Sequence, residues 1–133
     1  EFRRVLFRSA RAVVEAMAYQ TRDVVDAMVA ATGTPLTTMR VDGGASVMDF
    51  MLQMQADQLG VPVHRPKDQE TTALGAAYLA GLAEGVWPSL DAISSQWALD
   101  TEFRPADDRT FPDLFHSEWV RAVERSRSWA SDR

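Results

Sequence analysis

The chain contains no cysteine. That excludes disulfides, thiolate catalysis and cysteine-based zinc sites. Histidine is scarce too: His64 and His116 are the two present, too few and too far apart for a histidine-rich metal centre. No stretch approaches the roughly 18 consecutive apolar residues that a membrane-spanning helix needs. Basic blocks are also missing. Fourteen Lys and Arg face 19 Asp and Glu, a net charge of −5, which makes a poor binder of nucleic acid. What is there is globular: 133 residues, 46% hydrophobic, 25% charged and 9% aromatic, enough for one domain rather than a disordered or repetitive chain. A chain free of cysteine fits a cytoplasmic location.

Residues 1–9, EFRRVLFRS, stand apart. Three arginines and two phenylalanines precede no apolar core of a secretory leader and supply no helix cap. We read them as a non-native scar, and residues 10–133 as the domain. From Ala10 to Ala31 apolar residues follow helical spacing through Val14, Met17, Ala18, Thr21, Val25 and Met28. Arg22 and Asp26 fall at i, i+4 spacing, and Gly33 and Pro35 end the helix. Leu36–Val41 is predicted as a strand, followed by an Asp42-Gly43-Gly44-Ala45 turn. Ser46 then opens a helix to about Leu59, with Asp49 at capping-box spacing. Its two apolar stripes, Val47-Phe50-Met51-Met54 and Leu52-Ala56-Leu59, predict burial on most sides. The methionines at helical spacing read as core.

Val61–His64 is predicted as a second strand and Pro66–Gln69 as a loop. A third helix, capped by Thr71 or Thr72, runs to about Glu84 with a small-residue face of Ala73, Ala76, Ala77, Ala80 and Gly81. Leu90–Gln96 reads as a short helix, Thr101–Pro112 as a polar acidic loop, and Leu114–Trp129 as the last helix. Strands alternating with helices indicate an α/β class. Two short strands are too few for such a sheet to stand alone, which suggests part of a larger domain.

The most informative stretch is Met39–Ser46: a strand, two glycines and a helix start. Gly43 and Gly44 leave no Cβ in the way of a ligand and permit a positive φ. A helix start beyond them would offer free N–H groups to a phosphate or a nucleotide. The same residues also make an ordinary tight turn, and both readings stand on local chemistry. Asp42 either orients a ligand or bonds its own turn. Glu70 either contributes a carboxylate to a cleft or sits at a helix cap. His64 reads as a surface side chain. No Gly-Lys-Ser/Thr follows the glycines, so this is not a Walker loop.

Longer runs add a resemblance. Arg40-Val41-Asp42-Gly43-Gly44, Leu52-Gln53-Met54-Gln55-Ala56-Asp57, Leu59–Val63 and Glu70-Thr71-Thr72-Ala73-Leu74-Gly75-Ala76-Ala77-Tyr78-Leu79-Ala80-Gly81-Leu82 resemble the C-terminal part of the glycerol kinases, within the FGGY carbohydrate kinase family. Ala10–Val24 resembles the helix after that family's second signature, its Ala18-Tyr19-Gln20-Thr21-Arg22-Asp23 run being most like glycerol kinases; Arg65-Pro66 also matches, and the likeness continues through Trp119 to about Trp129. It breaks before Ala10, where Arg8 and Ser9 replace a histidine and an aliphatic residue.

The resemblance implies the actin-like ATPase, ribonuclease-H-like fold, with ATP, Mg²⁺ and glycerol as ligands and glycerol 3-phosphate as product. It places the catalytic base, the glycerol ligands and the phosphate loop upstream of this chain, so no catalytic residue is expected here and the chain alone is expected to be inactive. Gly44, with Gly43 beside it, matches the nucleotide-contacting glycine. Met48 stands where many members have a nucleotide-contacting asparagine, and Asp49 where a second asparagine is common. A homo-oligomer is the expected assembly of the full-length protein. Another FGGY sugar kinase, or a non-catalytic nucleotide-binding or interaction module, are the alternatives.

Overall fold

The computed structural model describes residues 2–127. Glu1 and residues 128–133, including Trp129 of the predicted last helix, lie outside the described residues. Five α-helices and three strands follow in the order α1 (Phe2–Thr32), β1 (Met39–Arg40), α2 (Asp49–Leu59), β2 (Val63–Pro66), α3 (Thr71–Ala83), α4 (Leu90–Ser94), β3 (Leu99–Phe103) and α5 (Thr110–Ser126). One 3₁₀ turn, Gly44–Val47, separates β1 from α2.

The sheet order is β1-β2-β3, with β1 and β2 parallel and β3 antiparallel to β2. Register sets two cross-strand rows. Met39, Val63 and Phe103 align, and so do Arg40, His64 and Glu102. Because side chains alternate along a strand, the two rows face opposite ways. The apolar row meets α2: Met51, Leu52 and Ala56 join Val63 and Phe103 in the core, with Val14, Met39 and Val41 packed against them. The polar row carries Trp97 over it. The Arg40 guanidinium sits 4.2 Å from the Trp97 ring centre, and His64 lies 2.8 Å from a Glu102 carboxylate oxygen. His64 is thus a half-buried, paired residue rather than a surface one.

Several sequence expectations change here. Helix α1 starts at Phe2, not Ala10, because residues 2–9 continue the same helical backbone although their side chains stay exposed. Strand β3 falls across the expected Thr101–Pro112 loop, and α5 begins at Thr110 instead of Leu114. Neither Thr71 nor Thr72 is the cap of α3; Glu70 is, with no side-chain cap bond. Helix α2 buries one face, through Met51, Leu52, Gln55, Ala56 and Gln58, while Val47 and Phe50 are exposed. Of the methionines read as core, Met51 is buried, and Met17, Met28 and Met48 face solvent.

Helix α5 is fastened to α1 by polar side chains. Asp23 accepts from His116 Nε2 at 2.7 Å and from Trp119 Nε1 at 2.8 Å, while Tyr19 packs against both rings. Arg22 holds the expected i, i+4 carboxylate of Asp26 and also reaches Asp113 on α5 at 2.9 Å. At the far end of α2, Gly60 takes φ +70°, and Arg109 donates to the carbonyls of Asp57 and Gln58 at 2.9 Å each.

Candidate functional site

In an open α/β sheet, ligands bind beyond the carboxyl ends of the parallel strands. Here those ends lead into two loops, Asp42-Gly43-Gly44 after β1 and Lys67–Glu70 after β2. The loops are joined by one bond, from the Gly43 N–H to the Gln69 carbonyl at 3.0 Å.

Gly43 has φ 79° and ψ 178°, a conformation that side chains disfavour. Its carbonyl accepts twice from Ser46: from the backbone N–H at 3.0 Å and from Oγ at 2.7 Å. Ser46, 1% exposed, therefore closes the turn, and the expected capping box does not form. The glycine conformation inserts a 3₁₀ turn first, so α2 starts three residues later, at Asp49, with Met48 as its cap residue. The helix start expected to follow Gly44 directly is displaced accordingly.

Gly44 is exposed, and a Cβ added to Gly43 or Gly44 would meet no protein atom within 4 Å. The turn thus presents bare backbone to open space. Met48, 38% exposed, lies on the same short segment. Asp42 is exposed and its side chain does not close the turn, which Ser46 does. Glu70 sits at the start of α3 and its N–H is taken by Asp68 Oδ1 at 3.0 Å.

Behind the turn stands Arg65 of β2, whose side chain is 13% exposed. Nη1 donates to the Ser46 carbonyl at 3.2 Å and to Asp49 Oδ1 at 2.7 Å. Nε reaches Asp100 Oδ2 at 3.0 Å and Nη2 reaches Thr101 Oγ1 at 3.1 Å. Bonds to these carboxylates hold the guanidinium firmly protonated. Thr101 and Arg65 in turn keep the Asp100 carboxyl below its ordinary range. Sequence reasoning gave Arg65 no role, although Arg65-Pro66 is itself one of the runs that carry the family resemblance.

A separate cavity of about 400 Å³ opens between α3 and Trp97, lined by Arg40, Lys67, Thr71, Leu74 and Tyr78 among others. It takes in none of Gly43, Gly44 and Met48. Among the described residues no group of three acidic, histidine or cysteine side chains is placed to hold a metal ion. Nor is any helix there long and apolar enough to cross a membrane.

The chain as a whole is similar to known proteins. At the level of sequence the chain is 52% identical over 122 residues to the glycerol kinase of Symbiobacterium thermophilum, covering 92% of this chain and 24% of that protein. A glycerol kinase of Pseudothermotoga lettingae is 54% identical over 119 residues, again 24% of its length. The chain therefore spans about a quarter of the length of the curated relatives it matches. Among solved structures, Plasmodium falciparum glycerol kinase with ADP superimposes with a TM-score of 0.75 at 35% identity, covering 86% of this chain and 23% of that one. A xylulose kinase from Lactobacillus acidophilus shares the fold, with a TM-score of 0.73 at 24% identity over 94% of this chain and 26% of that one. The mixed α/β arrangement is that of the C-terminal domain in the actin-like ATPase fold. The profile of the FGGY family of carbohydrate kinases, C-terminal domain, matches residues 3–84, more than half of the chain, and the chain belongs to that family.

Proposed function

We propose that this chain carries the adenosine-side nucleotide segment of an ATP-dependent glycerol kinase, which converts ATP and glycerol to ADP and glycerol 3-phosphate. The observation that carries the reading is the Gly43–Gly44 turn: exposed backbone at Gly44 beyond the carboxyl end of a parallel strand, with no protein atom within 4 Å of where a Cβ on either glycine would stand. Similarity to glycerol kinases at about half identity supports glycerol over other polyols as the acceptor. The Plasmodium enzyme was solved with ADP, which supports the nucleotide.

Under this reading Gly44 is the point of closest approach, Gly43 gives the backbone its turn, and Met48 offers an apolar contact in place of a polar one. ATP, when bound, supplies the transferable phosphoryl group. Such transfer depends on positioning and on charge neutralisation, and the acceptor hydroxyl needs a carboxylate base. This chain's contribution is positioning, and we assign no catalytic residue to it. Mg²⁺ would supply the charge neutralisation, held by the substrate phosphates with one or two carboxylates; among the described residues no group of three acidic side chains comes together. A cytoplasmic enzyme forming a homo-oligomer completes the reading.

The test is a chimera in which this chain replaces the matching C-terminal quarter of the Symbiobacterium enzyme. Gly44→Val should raise the KM for ATP about tenfold or more, the size of a loss on the order of 1–3 kcal/mol at an overpacked site, and leave the KM for glycerol within twofold. Met48→Asn should change it less, and in the direction of tighter binding. An unchanged ATP KM in a folded Gly44→Val chimera would reduce the Asp42–Gly44 segment to a turn. Activity of the chimera on pentuloses in preference to glycerol would shift the assignment to another FGGY kinase.

A further inference from the structure

We propose that Arg65 is the positioning residue of the nucleotide-side turn, the side chain that fixes where Gly44 and Met48 stand relative to the sheet. The inference rests on the nucleotide reading above and deepens it. The segment from Gly44 to Met48 is a single 3₁₀ turn, and α2 begins after it without a side-chain cap. Neither element holds the turn in place by its own hydrogen bonds to the sheet. Arg65 does so from behind. Its Nη1 donates to Ser46 O at 3.2 Å and Asp49 Oδ1 at 2.7 Å, one on each side of Val47 and Met48.

The fork is itself fixed. Nε and Nη2 are held on β3 by Asp100 and Thr101, and the guanidinium carbon lies 5.4 Å from the centre of the Phe103 ring. One planar group thus joins β2, β3, the glycine turn and the first residue of α2. Four acceptors spread around a plane suit a guanidinium and not an ammonium, whose single nitrogen cannot reach all of them. Ser46 adds a second tie, from its buried hydroxyl to Gly43 O. A shift of the fork therefore moves the backbone that meets the ligand, although Arg65 itself need not touch it.

Three variants of the same chimera test this, with Gly44→Val run beside them. Arg65→Met should raise the KM for ATP about tenfold, the size of one lost charge-assisted hydrogen bond, with the KM for glycerol within twofold. Arg65→Lys should recover less than half of that loss on a logarithmic scale. Asp100→Asn keeps the fork and removes its outer charge, so it should give a smaller rise of the same kind. Should Arg65→Met fail to fold, Arg65→Lys and Asp100→Asn carry the test alone. Equal changes in both KM values, or lower thermal stability with an unchanged ATP KM, would show a merely structural arginine and overturn the proposal. If Gly44→Val raises the ATP KM while the arginine and aspartate variants do not, the positioning role fails and the nucleotide reading stands. If none of them moves it, the nucleotide reading fails and takes the positioning role with it.

Discussion

Gly60 shows how much one residue type decides. It ends α2 in the left-handed region at φ +70°, and a Cβ there would lie 2.5 Å from Arg109 Nη1. That guanidinium cannot simply retreat, because it donates to the last carbonyls of α2 at Asp57 and Gln58. Gly60→Ala therefore combines an unfavourable backbone with a displaced cap. A loss of about 1–3 kcal/mol is expected in urea unfolding, with the slope unchanged. Arg109→Ala removes the cap without the clash and should cost less than the glycine variant; equal losses would show that the backbone conformation contributes nothing. The terminating role of Gly60 was legible in the sequence, since a glycine after an apolar helical run and before Val61-Pro62 is a stop signal. The role of Arg109 was not, because its partners are distant in sequence and only the fold brings them together.

At the scale of elements, helices α3 and α4 stand close to where the sequence places them. Thr71–Ala83 is rich in Ala and Leu, good helix formers that carry the helix through Gly75 and Gly81, and Ser89 caps α4 by accepting from the Ala92 N–H at 3.2 Å. Strand β3 was hidden for a physical reason. Leu99-Asp100-Thr101-Glu102-Phe103 buries Phe103 alone, and its acidic side chains are spent on pairing with Arg65, His64 and Arg104, so the segment has the composition of a loop. The Ser46/Asp49 spacing misled in the opposite sense: the right residues for a capping box are present, but Ser46 turns back to Gly43 and Asp49 is engaged by Arg65. The α1–α5 clasp offers a prediction at this scale. Asp23→Ala leaves His116 and the indole of Trp119 without their acceptor, and should destabilise the chain by about 1–3 kcal/mol. A double-mutant cycle with Trp119→Phe should return a coupling of about 0.5–2 kcal/mol; strict additivity would mean that the two side chains do not share one interaction.

For the whole molecule, charge and apolar surface set the behaviour. The carboxyls of Asp100, Glu102, Asp108 and Asp113 all lie below their ordinary values of 3.8 for aspartate and 4.5 for glutamate. The leading causes are bonds from Thr101, Arg104, Thr110 and Arg22 respectively. A carboxyl depressed in the folded state stabilises it fully above its unfolded value, and that contribution disappears as pH falls through the folded one. Stability should therefore be level in this respect from pH 7 to about 5 and decline below about pH 4, read as the urea midpoint. Glu102→Gln should flatten the decline; an identical acid limb would remove Glu102 from the account. Exposed apolar side chains are spread over several elements, including Phe2, Leu6, Phe7, Val24 and Met28 on α1 and Phe111, Leu114 and Phe115 on α5, and α3, whose thirteen residues carry no charge and include none that is buried, adds another. Leu79 is 65% exposed on it. The 133-residue chain should self-associate as its concentration rises, and Leu79→Glu should suppress this in sedimentation while changing stability by no more than about 0.5 kcal/mol. A large loss of stability would show Leu79 packed rather than exposed.

Strand β2 sits between two neighbours that the chain delivers at different times. Met39 precedes Val63 by the whole of α2, and Phe103 follows it by two helices. A two-residue β1 gives no local hairpin from which a sheet can nucleate, and every pairing must close a long loop first. Helices α1 and α2 need no strand to form and are expected to appear first, but their packing, through pairs such as Arg22 and Gln58, closes a loop as long as the sheet's and is expected to come with it. Substitutions at the α1–α2 contact such as Ala18→Gly should slow refolding, whereas Phe103→Leu should act mainly by speeding unfolding.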